Sequence, residues 1–381
     1  MDNAGMTLPP SLPTPHADGT SPAMWAVLRE ALAQHQGWLP FDQFMHLALY
    51  APGAGYYSQA HAARRRIGHR PEGGSDFVTA PELSPWFAKA LARAVREALE
   101  RTGTRRLIEF GAGQGTLAAQ LLAELGDAVE HYDIVEVSGG MRSLQREALL
   151  AWGPKVQWLN AWPDAADGVV VANELFDAMP VKLLQRTAGV WQERGVGWDA
   201  EGQALVWVDQ PTDLRPPCDI PGPQDHLCEI HPQAEAFVRS LAERWQRGAA
   251  FFIDYGFPEA EYYLPQRHMG TVMCHRAHRS DALPLQDVGE KDITAHVNLS
   301  GLALCAQDAG LQVLGYTSQA HFLINCGLLD GLSQAPVAEQ ALALKLVHEH
   351  EMGELFKVLA VGVGEPWEPM GFVQHDRSHR L

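Results

Sequence analysis

The segment Leu107-Ile-Glu-Phe-Gly-Ala-Gly-Gln-Gly-Thr-Leu constrains the fold of this chain more than any other. A short apolar run, the pattern of a buried strand, ends in a turn carrying Gly111, Gly113 and Gly115, and a helical pattern begins at Thr116. Glycine is needed there because a Cβ would block both the tight backbone path and the approach of a ligand to it. A strand feeding a helix through such a turn is a βα unit, and its ligand binds beyond the carboxyl end of the strand. Three enzyme classes use this device. NTPases that cradle phosphate require Gly-Lys-Ser/Thr, which is absent. Dinucleotide enzymes prefer G-x-G-x-x-G/A, and the last of those positions is Thr116 here.

Glu109 supplies the remaining clue. A carboxylate two residues before the first glycine is unwelcome beside a pyrophosphate but useful beside the ammonium of a methionine moiety. Acid-x-Gly-x-Gly-x-Gly is the pattern of class I methyltransferases, which use S-adenosylmethionine and release S-adenosylhomocysteine. Strand and helix patterns alternate around the turn. Strands are predicted at Tyr132–Val137, Val156–Leu159 and Val169–Ala172, with a helix at Met141–Leu150. The helix Pro232–Gln246 leads into a strand at Ala249–Tyr255. Repeated βα units predict an α/β fold with a mostly parallel, Rossmann-like sheet covered by helices on both faces. Lys182–Val208 breaks the rhythm with alternating residues and repeated glycines, which suggests inserted antiparallel hairpins. Gly256–Asn298 reads as irregular, followed by a helix at Leu299–Ala309 and a closing strand at Phe356–Val363.

Two further groups follow from the sheet. Glu136 ends the second strand about 20 residues beyond the turn, where an acid can accept both hydroxyls of a ribose. Asn173, Glu174 and Asp177 follow the strand Val169–Ala172 and so fall where a methyl acceptor should sit, although helix capping is an equally good reading for one of them. Asp254 at the end of the next strand either closes that pocket or makes a strand-to-loop turn. Asp292 and Thr294 are expected to cap a helix.

Composition narrows the partners. The formal charge is −17, which disfavours general nucleic-acid binding and suits a basic protein substrate. The one basic patch, Arg64 to Arg66 with His69 and Arg70, reads as a solvated loop. Five cysteines without a C-x-x-C pair point to buried thiols rather than disulfides or zinc. His275, His278 and His296 lack metal-ligand spacing, so no metal is expected. No stretch is apolar enough to span a membrane, and no signal or transit peptide is seen, which leads to a cytoplasmic expectation. A homo-oligomer is compatible with the sequence but not readable from it.

Beyond these motifs the chain resembles the MidA-like methyltransferases. The resemblance rests on ordered blocks: Phe44-Met-His-Leu-Ala-Leu-Tyr-Ala-Pro, Gly55-Tyr-Tyr, Thr79-Ala-Pro-Glu-Leu-Ser, the Glu109 turn, Val135-Glu-Val-Ser, Asn173-Glu-Leu-Phe-Asp-Ala-Met-Pro, Ile253-Asp-Tyr-Gly-Phe, Gly289-Glu-Lys-Asp-Ile-Thr-Ala-His-Val and Met352-Gly-Glu-Leu-Phe-Lys. It implies that Thr79, Pro81, Glu82 and Ser84 line the cofactor site with Glu109, Gly111, Gly113, Gly115, Thr116, Leu117 and Asn173, while Glu136 takes the ribose. It also implies protein arginine methylation, since the mitochondrial relative symmetrically dimethylates an arginine of a respiratory complex I subunit during assembly. The Asn173–Asp177 loop is similar to the acidic loop of protein arginine methyltransferases, in which a second Glu follows. Here Met179-Pro-Val-Lys-Leu-Leu offers none, so either Asp177 or Glu82 substitutes or the acceptor is not arginine. A SAM-binding assembly factor without essential catalysis and a small-molecule methyltransferase stay open as alternatives. The expected organisation is a disordered tail (1–22), a helical lid region (23–100), the SAM domain (101–260, hairpins about 182–230), a helical accessory insertion (261–350) and a closing strand with tail (351–381).

Overall fold

The computed structural model describes residues 19–59 and 78–381. Nearly all of the expected tail, and the loop with Arg64 to Arg66, lie outside them. Helices α1 (Pro22–Gln34), α2 (Phe41–Tyr50) and α3 (Pro85–Thr102) precede the main sheet. Seven strands build that sheet: β1 (Arg106–Phe110), β2 (His131–Val135), β3 (Val156–Leu159), β4 (Val169–Asn173), β5 (Ala249–Phe257), β6 (Gln312–Ser318) and β7 (Phe356–Gly362). Their order is β6-β7-β5-β4-β1-β2-β3, and Val297–Asn298 adds a short pairing to the end of β5. The strands β1 to β5 pair in parallel, whereas β7 runs antiparallel to both β5 and β6.

Every residue of β4 and β7 is buried, as expected for strands covered on both faces. On one face α3 and α4 (Thr116–Leu125) press Phe87, Leu91, Leu117 and Leu121 onto Leu107, Val169, Val171 and Phe251. On the other, α6 (Pro232–Arg244) and α7 (Leu299–Asp308) bring Val238, Leu241, Leu302 and Ala306 onto Ile108, Val170, Phe252 and Leu359. Between them in sequence, α5 (Gly139–Ala148) follows β2. The helix α3 is bounded by chemistry visible in its residues. Ser84 accepts from the Trp86 N–H at 3.4 Å, Pro85 opens the first turn, and Gly103 at φ 62° ends it.

The inserted segment forms four antiparallel strands, Lys182–Thr187, Val190–Trp198, Leu205–Pro211 and His226–Ile230, joined by Trp38–Pro40. The helices α1 and α2 lie on this sheet through Leu28, Phe41 and Met45 against Leu183, Val196 and Leu205. Two expectations change. The stretch 256–298 is not simply irregular: Met273–Arg276, Arg279–Asp281 and Asp292–Thr294 form a three-stranded antiparallel sheet, so Asp292 and Thr294 sit in a strand and cap no helix. Strands of three or four residues are too short to show a period. Gln312–Ser318, inside the expected helical insertion, is a strand of the main sheet. Its pairing shifts register between Val313 and Gly315, and the Phe372 ring packs where a Cβ on Gly315 would stand, so the strand reads as broken in sequence.

Candidate active site

At the carboxyl ends of β1, β4 and β5 lies a cavity of about 430 Å³, and a second of about 580 Å³ adjoins it. Gly111, Gly113, Glu174 and Tyr57 line both. The three turn glycines have φ of 69°, 52° and 89°, a region that L side chains rarely enter. A Cβ on Gly113 would meet nothing within 4 Å, so this backbone is open to a ligand. Gly115 does other work: it starts α4 and packs on Leu149 and Ala148, away from both cavities. Because Gly115 has no side chain, α4 begins without a side-chain cap. The first N–H groups of that helix lie beside Thr116 and Leu117, which line the first cavity, and they suit the carboxylate of a methionine moiety.

Glu109 is buried at the floor of the first cavity, where the Tyr132 hydroxyl donates to it at 2.7 Å. Burial lifts its pKa to about 7, against the pull of that hydrogen bond. Among the described residues this buried acid has one neutral partner and no cation, which fits an incoming ammonium. Glu136 lies beyond β2 and lines the second cavity. One oxygen accepts the Ser138 N–H at 2.8 Å and the other the Gln145 amide at 3.2 Å. The same amide donates to the Gly113 carbonyl at 3.0 Å, which ties Glu136 to the glycine turn. The Val137 N–H also donates to this carboxylate, which leaves part of its four lone-pair sites for a ligand hydroxyl. Burial raises the Glu136 pKa, while the Ser138 and Gln145 bonds oppose the rise.

The loop after β4 carries the second half of the site. Glu174 is half-buried, lines both cavities and stands at φ 53°. Its carboxylate accepts from the Asn173 amide at 3.1 Å and from the Ala80 N–H, and among the described residues it makes no ion pair. Burial, then the Asp177 and Glu82 charges, push its pKa up to about 8. Asn173 keeps a buried Oδ1 with no hydrogen-bond partner among the described residues, an acceptor that suits a ligand N–H. Asp177 is buried on the same wall, held by the Tyr255 hydroxyl and the Ala178 N–H, and burial raises it to about 6. Neither Glu174 nor Asp177 caps a helix.

Of the residues predicted for the cofactor and acceptor, Thr79, Pro81, Glu82, Glu109, Gly111, Gly113, Thr116, Leu117, Asn173, Glu174 and Asp177 all line the first cavity. Ser84 does not; it is the buried cap of α3. The Gln120 amide donates to the Pro81 carbonyl at 3.0 Å and pins the Thr79–Ser84 segment on α4. Tyr57, Phe257 and Phe356 were not singled out in the sequence, and Asp292 and His296 were given other roles. Tyr57 donates to Asp292 at 2.9 Å, and Tyr255, Phe257, His296 and Phe356 form linked ring contacts of 5.1 to 5.5 Å. His275 and His296 face the cavity, and burial lowers His296 to about 4, leaving it neutral. Among the described residues no group of three His, Cys, Asp or Glu is arranged to hold a metal.

Comparison with known proteins matches this geometry. The family described as "Putative S-adenosyl-L-methionine-dependent methyltransferase" matches residues 90–317, more than half of the chain. The chain belongs to this family. It is 46% identical to a Burkholderia thailandensis protein whose crystal structure is bound to S-adenosyl-homocysteine, with a TM-score of 0.89 over 97% of this chain and 100% of that one. It is 27% identical to the mitochondrial protein arginine methyltransferase NDUFAF7 of Danio rerio, over 84% of this chain and 82% of that protein. The Homo sapiens protein of the same name is 28% identical over 84% and 79%. The fold, the glycine turn and the family together make this an S-adenosylmethionine-dependent methyltransferase.

Proposed function

We propose that the methyl acceptor is an arginine of a protein, in keeping with the names of the mitochondrial relatives. One observation carries the reading. Glu82, Glu109, Glu174, Asp177 and Asp292 line the first cavity, and no lysine or arginine does so among the described residues. Glu109, Glu174 and Asp177 make no ion pair among the described residues, and buried carboxylates of that kind are costly until a cation enters. The cofactor accounts for part of that charge, with Glu109 near its ammonium, the α4 start at its carboxylate and Glu136 on its ribose. Glu174 and Asp177 are left for a cationic acceptor, so Asp177 supplies the second acid that the loop lacks further along.

Bound S-adenosylmethionine supplies an electrophilic methyl on a sulfonium. The residues of this chain do the rest by placement, which is worth up to ~7–11 kcal/mol in favourable cases. A guanidinium is always protonated and a poor nucleophile. Glu174 and Asp177 accept its N–H groups and draw the positive charge toward them, leaving electron density on the nitrogen that faces the methyl. The proton lost from the methylated nitrogen has acceptors in the same two carboxylates, whose raised pKa values of about 8 and about 6 lie near working pH. Tyr255 fixes Asp177 by its hydroxyl.

The test is methyl-group mass spectrometry on proteins from cells with and without this gene, respiratory complex I subunits included, followed by transfer from labelled cofactor in vitro. Methyl-arginine lost in the deletion and restored in vitro supports the reading. Label appearing only on a small molecule or on lysine overturns it, and a rescue of the deletion by a catalytically dead variant points to an assembly role instead.

A further inference from the structure

We infer that Asp254 is a positioning residue that holds Glu174 in a left-handed backbone conformation and thereby aims its carboxylate into the cavity. The consequence for methyl transfer rests on the acceptor role proposed for Glu174; the mechanical claim does not. The strands β4 and β5 pair with Asn173 opposite Ile253. The ladder continues one residue further, where the Glu174 N–H donates to the Ile253 carbonyl at 2.8 Å. There the backbone leaves strand geometry, with Glu174 at φ 53°. Glutamate has neither the missing Cβ of glycine nor the short amide of asparagine that makes this region tolerable.

The residues that follow show what holds it there. The N–H groups of Leu175, Phe176 and Asp177 all donate to Oδ2 of Asp254, at 3.1, 2.8 and 3.3 Å. Oδ1 takes the Tyr255 N–H at 2.9 Å. Asp254 is fully buried and makes no ion pair among the described residues, so its hydrogen-bonding is spent on this loop. Three successive N–H groups directly after Glu174 converge on one oxygen, so Asp254 anchors the turn that the left-handed Glu174 opens. A non-glycine residue held in this region at a cavity wall is strain kept by its surroundings. An Asp-Tyr-Gly turn that merely ends β5 would not need to gather three N–H groups from the loop after β4.

The test uses the sign of a glycine effect. At an ordinary position alanine is more stabilising than glycine, and at a left-handed one the order reverses. Glu174→Gly should therefore melt about 2 °C above Glu174→Ala in the otherwise native chain. In an Asp254→Asn background, where Oδ1 or Oδ2 is replaced by a donor, the advantage should vanish or invert. The same Asp254→Asn variant should keep S-adenosyl-homocysteine affinity within about threefold, and the complex should bind methylguanidinium at least about tenfold more weakly than the native complex in calorimetry. Asp254→Ser serves if the asparagine variant does not fold. A glycine advantage of equal size in both backgrounds overturns the inference, as does a Glu174→Gly protein less stable than Glu174→Ala. Reversal of the order with no methylguanidinium binding to any form upholds the positioning role and removes the arginine reading.

Discussion

Replacing Glu174 with glutamine changes one property of the site and nearly nothing else. The side chain keeps its length and one acceptor oxygen for Asn173 or the Ala80 N–H, but it cannot become an anion. With its pKa at about 8, the native carboxyl is mostly protonated at pH 7 before an acceptor arrives. Ionising it there opposes binding by about 1.4 kcal/mol, one pKa unit, and the guanidinium contact must exceed that. Removing one transition-state contact of this kind is worth roughly 100-fold, or ~2.7 kcal/mol. Methyl transfer by Glu174→Gln should therefore fall by at least ~100-fold while cofactor affinity stays within about threefold. The sign of the pH dependence follows from which form is active. The anion binds the cation, so native kcat/KM at saturating cofactor should climb close to tenfold per pH unit below about 8 and level above it. The glutamine variant should lose that limb. The assay is formation of S-adenosylhomocysteine with the acceptor found by mass spectrometry, from pH 6 to 9. Activity within fivefold of native, or a variant that keeps the rising limb, would refute the reasoning.

Two perturbations test the cofactor side. Gly113→Val forces a branched side chain to φ 52° and fills the open space above the turn; strain of about 1–2 kcal/mol should lower Tm slightly, and S-adenosylmethionine should no longer raise it. Native affinity in the folded variant would sink the cradle. Glu136→Ala removes the acceptor sites left after Ser138, Gln145 and Val137 are satisfied. With ~1.5–3 kcal/mol at stake for each charge-assisted bond, affinity by calorimetry should drop tenfold or more, and a smaller change would move the ribose elsewhere.

The parts of the fold legible in the sequence are those in which local pattern and tertiary role coincide. The strand β1 is apolar because both faces are covered, its glycines are needed by the backbone, and Glu109 stands out because an acid is anomalous in such a run. Glu174 and Asp177 were legible for a similar reason, being polar residues at the end of the wholly buried β4. The other walls were not. Tyr57 comes from the stretch after α2, Asp292 and Thr294 from a three-residue strand, and His296 from a loop beside β5; nothing local joins them. Their meeting depends on the inserted sheets lying over the strand ends. Ser84 failed in the opposite direction. The family resemblance carried it to the cofactor with Thr79 and Glu82, but Ser-Pro before a long helical run is itself a cap signature, and the side chain is used there. Gly115 is a similar case: its conformation is required by the turn, but its contacts are with Leu149 and Ala148.

Glu109 offers a check on the cofactor site that needs no acceptor at all. Its carboxyl is buried, has only the Tyr132 hydroxyl as a hydrogen-bond partner among the described residues, and sits at about 7. Near neutrality such a group is half protonated. A ligand ammonium drawn beside it favours the anion and lowers that pKa, so the bound proton must leave. At pH 7, binding of S-adenosylmethionine should release roughly half a proton from this residue. Affinity should rise with pH below about 7 and flatten above it, because the anion is the form that binds. Calorimetry in two buffers of different ionisation enthalpy reads the proton count directly, and Glu109→Gln should abolish the released fraction that Glu109 contributes. The other acids of the cavity complicate the total but not the difference between native and variant. Glu174 and Asp177 are present in both proteins, and cofactor alone does not satisfy them. If native protein and Glu109→Gln release the same number of protons, the carboxylate before the glycine turn does not meet the ammonium, and its burial beside Tyr132 is structural.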